Sequence, residues 1–223
     1  MTFFQILQDS THSERSQLTD RTLVCDALAG RMQVDQYVSF LCQAFHHVKH
    51  TVPLLMAAGS RMPAQKEWLR EALADYVAEE LGHQEWILND ISACGYDPDK
   101  VRRSTPNRAT EMMVAYAYYL IDRVNPVGFF GMVHVLEGTS ILVADQAARR
   151  IGESTGLSRK AFSYLTSHGA LDIEHVKFFE DLMNRISDSG DQQLIIHCAR
   201  HFYHLYGEVF QSVEAEQAES LAA

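Results

Sequence analysis

The stretch from Ala161 to Ile186, AFSYLTSHGALDIEHVKFFEDLMNRI, constrains the fold of this chain more than any other. Its apolar residues Phe162, Leu165, Phe179, Leu182 and Ile186 recur at helical spacing, so one face of a helix turns toward a core. The same stripe passes through positions 168, 172 and 175, which are His168, Asp172 and His175. Burying a carboxylate and two imidazoles costs several kcal/mol unless each is paired or coordinates a metal. Glu174 and Glu180 lie off the stripe and are expected in solvent. A helix of this kind needs other helices that bring complementary polar groups to the same place.

The remaining chain supplies helices and little else. Alternating strand patterns are absent, and five prolines and twelve glycines act mainly as punctuation. The periodicity predicts helices from Arg15 to Ala29, from Gln33 past Leu55 with a late kink at Pro53, and from Ala64 to about Cys94. Gly30 and Gly95 close the first and third. The segment GYDPDKVRRSTPN reads as a loop, and Thr105-Pro106 opens a fourth helix running to about Arg123. A fifth runs from Pro126 to Ile151, a sixth follows Ser158, and a seventh covers Asp191 to about Ala218. No long linker or internal repeat divides them. The expected architecture is one all-α domain, 1–223.

Composition narrows the class. At 223 residues, 47% hydrophobic and 22% charged, the chain resembles a soluble globular protein with one sizeable core. A net charge of −10, with only the bare pairs Arg102-Arg103 and Arg149-Arg150, argues against a nucleic-acid partner. No apolar run approaches the ~20 residues of a membrane span. The start MTFFQILQDSTHSER lacks a basic n-region and a cleavage-type site, so a cytoplasmic location is expected. Cys25, Cys42, Cys94 and Cys198 are scattered without a CxxC, consistent with reduced thiols.

Two further helices repeat the polar interruption. On the third, the stripe Leu69, Leu73, Tyr76, Ile87, Ile91 passes through Glu80 and His83, an E-x-x-H pair. Residues i and i+3 project within about 60° of one another, so both side chains can reach one ion. Glu79 lies about 100° off the stripe, which favours Glu80. On the fifth, Glu137 interrupts Phe130, Val133, Ile141, Ala144 and Ala148. His134 reads as a satisfied core histidine, and His46, His47 and His50 fall on the flanks of the stripe Leu41, Phe45, Val48, Val52. Three carboxylates and three imidazoles on three inward stripes suit two Fe(II) or Mn(II) ions. Mixed carboxylate and imidazole ligation inside a bundle is the di-iron carboxylate arrangement, and no cysteine ligand points to zinc or an Fe–S cluster.

E-x-x-H, a lone Glu two helices later and then H-x-x-x-D-x-x-H resemble the haem-oxygenase-like di-iron oxidases, relatives of TenA, PqqC and CADD. The segment ALAGRMQVDQYVSFLCQAFHHVKHTVPLLMAAGSRM resembles the second-helix region of TenA-type proteins. The resemblance implies a bundle of about seven to eight helices. It also implies a metal site of Glu80, His83, Glu137, His168, Asp172 and His175 holding two Fe(II), possibly Mn/Fe, with O2 as co-substrate. The implied reaction is oxidation of a small organic acid or amino-acid-like molecule. Arg123, Lys49 and Tyr118 are the candidate substrate partners, and a homodimer or higher homo-oligomer is expected. TenA thiaminases use a cysteine nucleophile, and the matching stretch FFGMVHVLEGTS has none. The alternatives are a metal-free TenA/PqqC-like salvage or binding protein and, further off, haem binding through His46 or His50.

Overall fold

The computed structural model describes residues 1–222, and all their side chains except those of 168–175 and 214–222. Among the described residues the chain is all-helical: α1 (Phe3–Ser10), α2 (His12–Thr19), α3 (Thr22–Ala29), α4 (Val34–Val48), α5 (Thr51–Arg61), α6 (Glu67–Glu80), α7 (His83–Ala93), α8 (Pro98–Arg103), α9 (Arg108–Tyr119), α10 (Phe130–Thr155), α11 (Ser163–Asn184) and α12 (Ser189–Ala222). The helices read from periodicity are present, but several are divided. The first is split at Asp20-Arg21 and preceded by α1, whose start is fixed by a capping box between Thr2 and Gln5. The second breaks at Lys49-His50 rather than bending at Pro53. A proline accepts no place beyond a helix's first turn without losing a hydrogen bond, so α5 begins afresh at Thr51. The segment expected as a loop holds α8, opened by Asp97, whose side chain accepts from the Asp99 N–H, and by Pro98 at its first position.

The most consequential break falls inside the expected third helix. Leu81 is extended and Gly82 sits at φ 90°, so Glu80 ends α6 and His83 begins α7. Only glycine takes that left-handed conformation without a Cβ penalty.

α10 is the central helix, packing along α3, α11 and α12. It corrects one expectation: Pro126–Thr155 is long and apolar enough to cross a membrane by length and composition. Its most apolar window is 61% buried inside the bundle, as befits a core helix. Gly131 permits the tight approach to α12, because a Cβ there would lie 2.6 Å from the Ala199 nitrogen. The core it organises includes Phe130, Val135, Phe179, Ile195, Phe202 and Val213.

Candidate functional site

The site is built around a cavity of about 150 Å³ lined by residues of α3, α4, α5, α6, α10, α11 and α12. Leu54, Leu55, Phe129, Met132, Val133 and Phe210 represent its walls, which are mostly aliphatic and aromatic. Into this apolar space open Tyr76 and Glu80 from α6, Glu137, Thr139 and Ser140 from α10, and His47 from α4. Among the described residues no Lys, Arg or Cys lines it.

Glu80 and Glu137 therefore line one cavity from helices that are remote in sequence. Glu79 is exposed, in keeping with the preference for its neighbour. His83 is 2% exposed and stacks on Trp86, ring centroids 4.0 Å apart. Its Nδ1 lies 2.9 Å from Glu80 Oε2. The pairing comes about differently from the continuous turn read in the sequence, because it spans the Leu81-Gly82 break. Glu80 hangs from the end of one helix and His83 from the start of the next. His168, Asp172 and His175 lie outside the described residues. The helix that carries them, α11, is continuous, and Phe162, Leu165, Phe179, Leu182 and Ile186 of its apolar stripe are all buried.

Tyr76 is the feature sequence reasoning passed over. It was read as an apolar marker of the stripe, yet its hydroxyl stands in the cavity with the carboxylates. Burial, then the charges of Glu137 and Glu79, raise its pKa far above the usual phenol value, so it stays protonated. The available signal was a hydroxyl-bearing side chain one turn before Glu80 on a ligand stripe.

Asp90 was missed as well. It is fully buried on α7, and its carboxylate accepts the Ser163 N–H at 2.9 Å, the Tyr164 N–H at 2.8 Å and the Ser163 hydroxyl. It thus caps the start of α11 from another helix. Burial pushes its pKa up, against the pull of these donors.

The other candidates fall elsewhere. His46 and His47 are buried rather than on the flanks, because α4 is enclosed on more than one side. His46 Nε2 meets the Ser104 hydroxyl at 2.9 Å and its Nδ1 meets Lys49 Nζ at 3.1 Å. His50 Nδ1 meets the Tyr118 hydroxyl at 3.1 Å. Neither His46 nor His50 lines the cavity; His47 does, edge-on to Tyr206 at 5.9 Å. Lys49, Tyr118 and the exposed Arg123 also stand outside it, so none of the three expected substrate partners reaches the site. His134 is a core histidine as read, with Nε2 3.3 Å from the Thr11 hydroxyl and its ring stacked on Phe179. On the same helix Ile141 is exposed, so it leaves the apolar stripe, which continues through the buried Ala144 and Ala148.

Comparison with known proteins adds two findings. A family model described as an iron-containing redox enzyme matches residues 38–207. That span includes the described site residues and the H-x-x-x-D-x-x-H segment of α11. Among solved structures, a domain of unknown function with a haem-oxygenase-like fold from Shewanella denitrificans superposes with a TM-score of 0.88 at 20% identity, covering 98% of this chain and 94% of that one. A haem oxygenase from the cyanobacterium Synechocystis, in complex with haem, gives 0.78 at 11% identity, covering 100% and 96%. A TenA homologue from Pseudomonas syringae pv. tomato gives 0.78 at 10%, covering 96% and 93%. At these identities the likeness shows the fold: an all-α, haem-oxygenase-like bundle. Comparison with curated proteins gives no match.

Proposed function

The chain belongs to the iron-containing redox enzyme family, and from that premise we propose that it is a non-haem di-iron oxidase or oxygenase acting on a small organic acid or amino-acid-like molecule. The observation that supports this most is the convergence of Glu80 and Glu137 on one apolar cavity, with His83 2.9 Å from Glu80. Anionic oxygens with imidazole nitrogen are the donor set that iron takes in bundle cores. Among the described residues Glu80, His83 and Glu137 would hold the metal, and His168, Asp172 and His175 are proposed to complete the set.

Iron bound there would supply the dioxygen chemistry. The protein's part is to hold, orient and keep dry. Aliphatic and aromatic walls exclude water and accept the apolar portion of a substrate. Tyr76, protonated beside Glu137, keeps a hydroxyl donor next to a carboxylate in the cavity.

Elemental analysis of protein from iron-supplemented cells tests the reading. Close to two iron atoms per chain and dioxygen consumption with a reductant are expected. An iron-free protein that stays iron-free after anaerobic Fe(II) addition would return the chain to a metal-free, TenA-like role.

A further inference from the structure

Away from the cavity, α12 carries His197, His201, His204 and Glu208 at steps of four, three and four residues, and all are exposed. That spacing gathers them on one helix face. None lines the cavity. The rings of His197 and His201 meet edge to face with centroids 4.3 Å apart, and their Nε2 atoms are 3.0 Å apart. The Tyr116 ring packs edge-on to His201, with centroids 5.8 Å apart.

Two imidazole nitrogens, each at a metal–nitrogen distance of about 2.0–2.1 Å, are about 2.9 Å apart at a right angle and about 3.4 Å apart at the tetrahedral angle. The observed separation lies between the two. We propose that His197 and His201 form a surface site for a borderline divalent cation, Cu(II), Ni(II) or Zn(II), bound through both Nε2 atoms. Imidazole pairs suit these ions, whereas Mg(II) and Ca(II) take oxygen ligands. Without metal the two nitrogens share one proton as a hydrogen bond, one Nε2–H donating to the other ring. Binding breaks that bond and moves the proton to Nδ1 of the same ring, so two neutral imidazoles bind with no net proton release. Among the described residues no third Asp, Glu, His or Cys closes on the pair, so water would fill the remaining positions.

Titration with Ni(II), read by calorimetry and by thermal unfolding, tests the site in the full-length protein. The wild type should bind one equivalent more than the His197→Ala/His201→Ala double variant. Each single alanine variant should bind at that site at least tenfold more weakly, and so should His201→Gln, which keeps the side chain's bulk. His12→Ala, another exposed histidine, should match the wild type, and Mg(II) should give no signal at the pair. Variant melting temperatures in chelator serve as the fold control. Equal stoichiometry and affinity in the wild type and the double variant would overturn the proposal.

Discussion

Asp90 Oδ2 accepts the backbone N–H of Tyr164 at 2.8 Å, across 74 residues of sequence. With the Ser163 N–H held at 2.9 Å by the other carboxylate oxygen, one buried side chain of α7 closes the start of α11. The first helix begins with His83 and the second carries His168, Asp172 and His175. Their relative placement is thus fixed by charge-assisted hydrogen bonds rather than by apolar packing alone.

Replacing Asp90 with Ala leaves two buried backbone donors and the Ser163 hydroxyl without their acceptor. A loss on the order of 1–3 kcal/mol is expected. For a chain of this size that is roughly 2–4 °C of melting temperature per kcal/mol. Iron content should fall with it, since the two motif-bearing helices lose their common anchor. Calorimetry and metal analysis of Asp90→Ala check both, and an unchanged melting temperature would show that the cap is dispensable.

Gly82 gives a sharper test of geometry. A Cβ at this position meets nothing within 4 Å, so Gly82→Ala introduces no clash and acts only through the backbone at φ 90°. The left-handed region costs a residue with Cβ roughly 1–2 kcal/mol. The expected outcome is a loss of that size together with weaker iron binding, because the break sets how Glu80 and His83 meet. A variant with wild-type stability and iron content would mean that the break does not position the pair.

Much of this arrangement was legible in the sequence. Stripe periodicity found the inward faces of the third, fifth and sixth expected helices, including the buried runs around Glu80 and on α11. It set Glu80 rather than Glu79 on the inward face, and Glu80 lines the cavity while Glu79 is exposed. It could not find the break at Leu81-Gly82, because one glycine inside a helical pattern reads as a tolerated defect until its φ is known. It could not find the role of Asp90, whose partners lie more than 70 residues away, since a carboxylate beside a stripe does not reveal what it caps. The histidines of α4 were misplaced because a two-sided burial pattern has no single stripe to read. The cavity itself, and with it Tyr76 and His47 as lining groups, depends on how helices from all along the chain meet.

Acid should destabilise the fold through its buried imidazoles. Burial, then the charge of Arg15, lowers the His134 pKa to about 3, and burial, then Lys49, lowers that of His46 to about 4. Unfolded, both take up a proton near pH 6.5. Below that point the unfolded state binds more protons than the folded one, so stability present above pH 6.5 is lost as pH falls toward 4 and then 3. His134→Leu should blunt this loss, and Thr11 keeps its hydrogen bond to the Leu7 carbonyl at 2.8 Å. Denaturant titrations of wild type and variant between pH 4 and 8 give the answer, and parallel curves would remove His134 from the account.

The central claim is that carboxylates and imidazoles from four helices, α6, α7, α10 and α11, hold iron, and the iron content of Asp172→Ala tests it most directly. Asp172 is a proposed ligand, and removing it takes away one of the negative charges that two cations require. Wild-type protein and the variant are loaded with Fe(II) under anaerobic conditions, freed of excess metal and analysed for iron per chain. Melting temperatures are taken with and without chelator. The account predicts near two iron atoms per wild-type chain, a sharp drop in the variant, and a chelator-induced loss of melting temperature in the wild type alone, since a metal that binds only the folded state stabilises it by RT ln(1 + [L]/Kd). Full iron content in Asp172→Ala, with the wild-type response to chelator intact, would contradict it.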